Sequence, residues 1–290
     1  MKLRLSTETG SAARLVGDGR AIEYIKRAGF DAYDFSMLEM AKYDKVRGCA
    51  IETGHPLSTR EYLSYAKELR AIADGSGILC NQTHAPHPTS APNIRDSLVR
   101  ALEVSAVLGA GICVIHPQNN ESAEENARLF SSLLPYAREC GVRIACENMW
   151  NWNKDEDHAR SAACSDARSF LEHLSIVDDE YLVACLDIGH AEMRGLGTSA
   201  PEMIEALGDK LAALHIHDND RHRDRHLIPF SSEIDFCGVA EALSRVRYSG
   251  YITLEANRHL DSYSAENVDV GLREMYESAR RLRDMIEVRV

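Results

Sequence analysis

The sequence has no long apolar run. It contains no stretch of about 20 apolar residues that could cross a bilayer, so we expect no membrane partner. Residues 1–5 lead directly into the polar Ser6, Thr7 and Glu8 without the apolar segment of a secretion signal. We therefore expect a cytoplasmic protein.

An excess of positive charge is also missing. The chain carries 45 acidic and 33 basic residues, which give a formal net charge of −12. The basic clusters at Arg221–Arg223 and Arg280–Arg281 are short, and no run is rich in lysine and arginine. Because nucleic acids and anionic lipids attract positively charged proteins, we expect no nucleic-acid partner.

Paired cysteine motifs and a glycine-rich first turn are absent as well. The chain has eight cysteines but no CxxC pair. Cys80, Cys113, Cys146 and Cys185 lie within apolar, strand-like runs, so they are predicted to be small buried residues of a reduced protein. Zinc–thiolate coordination is the less favoured alternative. Residues 7–10 do not supply the G-x-G-x-x-G turn of a dinucleotide-binding sheet.

The sequence does contain a set of apolar runs that end in histidine, aspartate or glutamate. The run ending at Asp187 is followed three residues later by His190. Taken alone, these two residues are explained equally well by a structural role and by a functional site. The structural role would be a capping carboxylate followed by a hydrogen-bonded core histidine. The pattern recurs, however, and six such ends indicate one shared site. The six ends are His84, His116, Glu147, Asp187–His190, His215–His217 and Glu255.

These apolar runs alternate with helical patterns and predict eight strand–helix units without a domain boundary. Alternation predicts parallel strands, and eight units predict a closed barrel. We expect a single α/β domain over residues 1–290, a (β/α)8 TIM barrel with its active site at the carboxyl ends of the strands. A doubly wound open sheet is the alternative. The predicted strands are Lys2–Ser6, Ala32–Ser36, Ile78–His84, Ile112–His116, Val142–Glu147, Tyr181–Asp187, Leu211–His217 and Tyr251–Glu255.

Four residues from four strand ends form the candidate metal site: Glu147, Asp187, His217 and Glu255. Without a cation, three carboxylates held together would repel one another, or one would keep a proton. Mixed oxygen and nitrogen donors suit Mn²⁺, Mg²⁺, Co²⁺ or Zn²⁺. His215 precedes His217 by two residues and so faces the same side, one layer deeper. We expect it to pack or to support a ligand rather than to bind the metal.

Other polar residues near strand ends form an outer ring. These residues are predicted to bind the substrate or additional metal, although each alone is more often a supporting or surface residue than a ligand. They are His84, His116, His190, Asp224 and His226. Histidines without a strand-end context are expected to be solvated. They are His87, His158, His173, His222 and His259.

The strand-end motifs resemble those of the xylose isomerase-like barrels, which include sugar phosphate isomerases and epimerases, ketose epimerases and endonuclease IV. The resemblance covers essentially the whole chain and rests on Thr83–Pro86, Ile115–Pro117, Glu147–Asn148, Asp187–His190, His217–Asp220, Asp224–His226 and Leu254–Glu255. It implies that Glu147, Asp187, His217 and Glu255 hold one divalent metal, and that His190 and His226 reach substrate oxygens. In endonuclease IV, the positions that resemble His84, His116, His190, Asp224 and His226 bind two further zinc ions. This chain retains all five.

The function favoured by these observations is a metal-dependent sugar (or sugar phosphate) isomerase or epimerase. Glu147 and Glu255 are predicted to exchange a proton at the carbon beside a carbonyl, through a metal-stabilised enediolate. Trp150 and Trp152 are predicted to cover the apolar face of the sugar, or to form a hydrophobic lid. No glycine-rich phosphate loop stands out, which favours an unphosphorylated sugar. A homo-oligomer is left open.

Three alternatives remain at this stage. A dehydratase or lyase acting on a cyclic polyol or keto sugar could use the same metal and base. A phosphodiesterase like endonuclease IV would need basic loops to neutralise phosphates. The loops after the second, fifth and eighth strands instead carry Glu39, Asp155, Glu156, Asp157 and Asp261. A barrel that only binds a ligand is disfavoured because the candidate metal ligands are all present.

Overall fold

Eight parallel strands form the centre of the fold, which a computed structural model describes for residues 2–289. Nearly every residue on these strands is buried, as expected for parallel strands covered by helices. For this reason the strands read as continuous apolar runs in the sequence. In chain order they are β1 (Arg4–Glu8), β2 (Ala32–Ser36), β3 (Leu79–His84), β4 (Ile112–Ile115), β5 (Arg143–Glu147), β6 (Leu182–Asp187), β7 (Leu211–His215) and β8 (Tyr251–Leu254).

The strands form a nearly closed barrel. Their hydrogen-bonded order is β7-β6-β5-β4-β3-β2-β1-β8, and a single parallel bridge between Ile216 and Leu254 joins the two ends of this order. The prediction of a (β/α)8 TIM barrel is confirmed. Because all the strands run in the same direction, their carboxyl ends meet at one rim. Along β6, for example, Cys185 lies opposite Glu147 and Asp187 lies opposite His215.

Helices cover the outside of the barrel and bury one face each against it. In the helix that follows β4, Ser122 caps the first turn, Phe130, Leu133 and Ala137 are buried, and Gly141 ends the helix with a left-handed φ of 66°. The α-helices are α1 (Gly10–Val16), α2 (Asp18–Ala28), α3 (Tyr62–Ser76), α4 (Arg95–Leu108), α5 (Ala123–Cys140), α6 (Ala167–Val177), α7 (Ile188–Ala191), α8 (Ala200–Leu207), α9 (Phe236–Arg245) and α10 (Val268–Glu287).

Two short antiparallel hairpins lie in segments predicted as irregular loops. One pairs Lys42–Asp44 with Cys49–Ile51 after β2, and the other pairs Trp150–Asn153 with His158–Ser161 after β5. Their strands have only three or four residues and are partly exposed, so they are too short to give the extended pattern by which strands are recognised.

The first strand also lies further along the chain than predicted. It ends at Glu8 rather than Ser6, which makes Glu8 a further strand-end carboxylate. The predictions of one domain over residues 1–290 and of a homo-oligomer stay predictions. Among residues 2–289, none of the helices is sufficiently long and apolar to cross a bilayer.

Candidate active site

Three buried or largely buried carboxylates converge at the rim of the barrel. Glu147 ends β5, Asp187 ends β6, and Glu255 follows β8. One oxygen from each lies within 4.8 Å of the others and of a nitrogen of His215. The side chain of Glu147 is 1% exposed and that of Glu255 is 16% exposed, so Glu255 is the more accessible of the two glutamates. The structure thus brings together the three carboxylates that were predicted as metal ligands.

The histidine that completes this four-residue group is His215, whereas His217 had been predicted. Nδ1 of His215 lies 2.9 Å from Glu147 Oε1 and 3.6 Å from Glu255 Oε2. Strand β7 ends at His215, so the two-residue alternation used to predict a shared face does not extend to His217. His217 instead lies beside Asp187, with its Nε2 3.1 Å from Oδ1.

His217 belongs to a second group, formed with His190, Asp224 and His226. Asp224 Oδ2 lies 3.3 Å from Nε2 of His190 and 3.1 Å from Nε2 of His226. The rings of His217 and His226 stack with centroids 3.9 Å apart. This group adjoins the first through Asp187, and it contains three residues that were predicted for the outer ring.

A third group consists of His84, His116 and Glu147. Nε2 of His116 lies 3.0 Å from Glu147 Oε2 and 3.0 Å from Nε2 of His84. Glu147 therefore belongs to two groups, one through each carboxylate oxygen. His87 stacks on His116 with centroids 4.7 Å apart and lines the pocket, and it is exposed to solvent as predicted.

Backbone carbonyls orient three of the histidines. Nδ1 of His84 lies 3.0 Å from the carbonyl of Ala85, Nδ1 of His190 lies 2.9 Å from that of Asn148, and Nδ1 of His226 lies 2.8 Å from that of Glu255. A carbonyl can only accept a hydrogen bond, so Nδ1 carries the proton in each ring and Nε2 faces the site.

Short contacts at the end of β6 explain why Asp187, Gly189 and His190 follow one another at this spacing. Asn148 exchanges two hydrogen bonds with the backbone of Asp187, at 2.7 and 2.9 Å, and so joins the ends of β5 and β6. Asp187 Oδ1 accepts a 2.7 Å hydrogen bond from the backbone N–H of His190. A Cβ at Gly189 would lie 1.9 Å from the ring of His217, so only glycine allows this close approach.

The electrostatic balance of the site is carried by histidine–carboxylate contacts. Burial would raise the pKa of Glu147, but His215 and His116 outweigh it and hold this pKa well below its usual range. Burial likewise opposes ionisation of Asp187, yet His190 and His217 lower its pKa to about 2. Burial would lower the pKa of His226, but Asp224 and Glu255 raise it to about 9. Glu147 and Asp187 are therefore ionised at neutral pH.

Several of these buried polar atoms make no well-directed hydrogen bond in the described part of the chain, even where an ionisable neighbour lies within 3.1 Å. They are Glu147 Oε2, Asp187 Oδ2, Asp224 Oδ1 and both ring nitrogens of His217. Unpaired polar atoms are costly to bury, and all of these atoms belong to the three groups. Carboxylate oxygens and imidazole nitrogens are the donors that Mn²⁺, Co²⁺ and Zn²⁺ accept. The residues present therefore fit a divalent cation.

The groups face a pocket with a volume of about 540 Å³, within the usual range for small-molecule sites. Glu147, His190, His226 and Glu255 lie in its wall, together with Trp150. The wall also includes Leu38, His87, Thr89, Gln118, Asn119 and Asn257.

The two tryptophans predicted as a lid have different surroundings. Trp150 lines the pocket, with its ring centroid 6.5 Å from that of His190. Trp152 instead packs under the guanidinium of Arg223 at 4.0 Å and beside the ring of His222. It therefore joins the second hairpin to the loop that carries Asp224.

The histidines predicted to be solvated also differ from one another. His173 is only 5% exposed, and its Nε2 lies 3.3 Å from the side-chain amide of Asn126, so its prediction was wrong. His158, His222 and His259 are partly buried and lie beside Glu156, Asp157 and Glu274 respectively.

Sequence reasoning missed three further residues near the site. Glu8 is buried, contacts Ser11, and has a pKa raised by that burial. Asp34 on β2 contacts Nε2 of His215 at 2.9 Å. His87 lines the pocket from a loop. A correct end for β1 would have identified Glu8, whereas no strand-end signal marks the other two.

An eight-stranded parallel barrel with His, Asp and Glu clustered at its carboxyl-end rim defines a class of TIM barrels with a candidate cation site at the mouth. Residues 22–284 match the family described as xylose isomerase-like TIM barrel, and the chain belongs to this family.

Sequence relatives carry no functional description. The chain is 26% identical over 235 residues to the uncharacterized protein MJ1311 of Methanocaldococcus jannaschii, covering 75% of this chain and 76% of that protein. It is 29% identical over 201 residues to the uncharacterized protein y4fM of Sinorhizobium fredii, covering 63% of this chain and 61% of that protein.

Solved structures with the same fold include sugar epimerases. A D-tagatose 3-epimerase-like protein has a TM-score of 0.72 at 21% identity, covering 99% of this chain and 98% of that one. The 3-keto-D-glucoside 4-epimerase YcjR of E. coli has a TM-score of 0.68 at 16% identity, covering 97% and 100%. An L-ribulose 3-epimerase has a TM-score of 0.69 at 15% identity, covering 99% and 95%. At these identities the likeness concerns the fold.

Proposed function

We propose that this protein is a divalent-metal-dependent sugar epimerase or isomerase. The observation that carries the proposal is the pair Glu147 and Glu255, whose carboxylates reach one group from strands β5 and β8. They lie at the wall of a pocket of about 540 Å³. The epimerase folds of the solved neighbours support a sugar as the class of substrate.

The proposed cation site is the group of Glu147, Asp187, His215 and Glu255. This assignment replaces His217 with His215 for the geometric reason given above. When bound, the cation would polarise the substrate carbonyl and stabilise negative charge that develops on its oxygen. Mn²⁺, Mg²⁺, Co²⁺ and Zn²⁺ all fit the donor types.

The protein's own residues would move the proton. Glu147 is ionised at neutral pH and could accept the proton from the carbon beside the carbonyl. Glu255 approaches from another strand and is the more accessible carboxylate, so it could return a proton to the opposite face of the resulting enediolate. Two carboxylates on opposite faces invert a stereocentre, whereas one that shuttles the proton between neighbouring carbons interconverts an aldose and a ketose.

The second group would position the substrate. His190 and His226 present their Nε2 atoms towards the pocket because their Nδ1 atoms are bonded to backbone carbonyls. In the metal-free protein the pKa of His226 is about 9, because Asp224 and Glu255 outweigh its burial, so the ring is charged at neutral pH. Its Nε2 lies 3.1 Å from Asp224 Oδ2, so it would donate to a substrate hydroxyl by exchanging that contact for one with the substrate. Trp150 would contact the apolar face of the sugar.

A panel of ketopentoses and ketohexoses, each free and phosphorylated, tests this proposal. The protein is loaded with Mn²⁺ and incubated with each sugar in D₂O, and products are followed by NMR. We expect an epimer or aldose isomer of an unphosphorylated sugar, with deuterium at the carbon next to the carbonyl. A stable eliminated product would indicate a dehydratase or lyase instead. No reaction with any sugar, despite bound metal, would contradict the proposal.

A second candidate, a multi-metal phosphodiesterase, is favoured by one observation. The three groups together offer donors for more than one cation, because His190, His217, Asp224 and His226 lie beside the first group. Metal analysis of the purified protein separates the candidates. One cation per chain favours sugar chemistry, whereas three cations together with nicking of abasic-site duplex DNA would favour phosphodiester cleavage.

A further inference from the structure

His215 is held at both ring nitrogens. Its Nδ1 lies 2.9 Å from Glu147 Oε1, and its Nε2 lies 2.9 Å from Asp34 Oδ2. The ring is fully buried and stacks on His84, with centroids 5.3 Å apart and planes inclined by 19°. The ring cannot shift or rotate without breaking its contact with Glu147 or with Asp34.

Asp34 is itself held in place inside the barrel. It lies on β2, is 1% exposed, and its Oδ2 also accepts a 3.0 Å hydrogen bond from the side-chain amide of Gln82. Two donors therefore converge on the same oxygen. A carboxylate in this position serves as an acceptor, so the proton of the bond to His215 belongs to Nε2.

This arrangement is opposite to that of the other oriented histidines. His84, His190 and His226 are protonated at Nδ1 by contact with backbone carbonyls and turn Nε2 towards the site. His215 is bonded at Nε2 to Asp34, whereas its Nδ1 faces Glu147 and Glu255. These two glutamates belong to the proposed cation site, and Nδ1 would release its hydrogen bond to Glu147 when a cation binds. An imidazole binds a cation only through an unprotonated nitrogen, and the bond at its other nitrogen decides which one that is.

We propose that Asp34 is a positioning residue, which keeps the proton of His215 on Nε2 and so presents Nδ1 as a cation ligand. The proposal rests on the cation site of the proposed function. It assigns a role to a carboxylate that lies outside the candidate ligand groups and does not line the pocket.

A purely structural role for Asp34 predicts a different outcome. Asp34 and Gln82 belong to a polar network inside the barrel, in which Asn81 contacts Gln82 at 3.1 Å and Ser6 at 2.6 Å. If the network serves only stability, breaking either end should have similar consequences. Ser6 is buried in this network but makes no contact with His215, so Ser6→Ala is a matched control.

The experiment compares Mn²⁺ binding by the wild type, Asp34→Asn, Asp34→Ala and Ser6→Ala, using isothermal titration calorimetry on metal-stripped protein. We expect Asp34→Ala to weaken binding by about 10–100-fold, the usual effect of removing a carboxylate partner from a ligating histidine. Asp34→Asn should be intermediate because it keeps an oxygen acceptor but loses the charge. Ser6→Ala should bind as the wild type does. Equal affinities of Asp34→Ala and wild type, or equal losses in Asp34→Ala and Ser6→Ala, would overturn the proposal.

A second measurement does not depend on the Asp34 variants being folded. Histidine ring ¹H–¹⁵N spectra of wild-type protein loaded with diamagnetic Zn²⁺ report which nitrogen of each ring carries the proton. The His215 signal is assigned by its loss in His215→Gln. We expect a proton on Nε2, and a proton on Nδ1 would overturn the proposal. Failure of the wild type to bind any divalent cation would instead contradict the proposed function.

Discussion

Replacing Glu147 or Glu255 with glutamine removes one negative charge from the four-residue group while preserving the size of the side chain. Glu147 contacts His215 and His116 through its two oxygens, at 2.9 and 3.0 Å. The amide of glutamine keeps one acceptor oxygen but cannot take a proton from carbon. If both carboxylates transfer protons, each substitution should therefore slow the reaction even when the cation remains bound.

The expected loss of rate can be given a lower limit. General acid–base catalysis contributes about 10²–10⁴-fold, and a factor of 10² corresponds to about 2.7 kcal/mol in the activation barrier. Each variant keeps three of the four residues of the proposed cation site. The smaller exposure of Glu147, 1% against 16% for Glu255, predicts that Glu147→Gln disturbs the metal site more, because its partners His215 and His116 are only 0% and 12% exposed.

The assay measures epimerisation or isomerisation of the identified sugar under saturating Mn²⁺, with the metal content of each protein determined in parallel. Glu192→Gln is the matched control. Glu192 is a buried glutamate that accepts a hydrogen bond from the backbone of Ala200 and lies outside the three groups. We expect both site variants to lose at least about 10²-fold in rate and the control to keep its activity. A variant that binds metal and retains the wild-type rate would refute proton transfer by that glutamate.

Three other outcomes are expected. Treatment with a chelator should lower the melting temperature, and a cation at 100 times its Kd should restore about 2.7 kcal/mol of stability; equal melting curves with and without the cation would contradict a bound metal. In the chelated protein, Asp224 outweighs burial and raises the pKa of His226 to about 9. The stability that protonated His226 contributes to the folded protein is therefore complete below pH of about 6.5 and is lost as pH rises through about 9. Thermal unfolding over this pH range, compared with that of His226→Gln, measures the loss, and identical pH profiles would contradict it. Trp150→Ala should raise KM for the sugar, whereas Trp152→Ala should mainly lower stability through loss of its contact with Arg223; unchanged KM in Trp150→Ala would remove Trp150 from the substrate site.

The barrel and the convergence of its carboxylates were predictable because they follow from periodic features. Parallel strands buried on both faces appear as continuous apolar runs, and eight such runs alternating with helices fix the topology. Glu147, Asp187 and Glu255 stand at the ends of these runs. Once the strands are parallel, their ends must meet at one rim.

The choice between His215 and His217 was not predictable in the same way. It depends on whether β7 ends at one residue or two residues later, and strand boundaries are the least certain part of a sequence pattern. Asp34 is separated from His215 by 181 residues, so their contact exists only once the barrel has formed. The hairpin carrying Trp150 and Trp152 has strands of only four residues, too short to stand out as a pattern. Its contact with Arg223 forms only when two distant loops meet.

The number of bound cations also decides what His190 and His226 can do. Each uses Nδ1 for a backbone carbonyl, so each has only Nε2 to offer at the site. A nitrogen that binds a cation cannot also hydrogen-bond a sugar hydroxyl. A single cation in the group of Glu147, Asp187, His215 and Glu255 would leave both Nε2 atoms without a metal. They could then exchange their contacts with Asp224 for contacts with the substrate, as the sugar proposal requires. A cation held by His190, Asp224 and His226 would occupy them, and substrate oxygens would then have to bind to metal. The two Nε2 atoms cannot bind a cation and hydrogen-bond a sugar hydroxyl at once, which is why counting cations distinguishes the two candidate functions before any substrate is known.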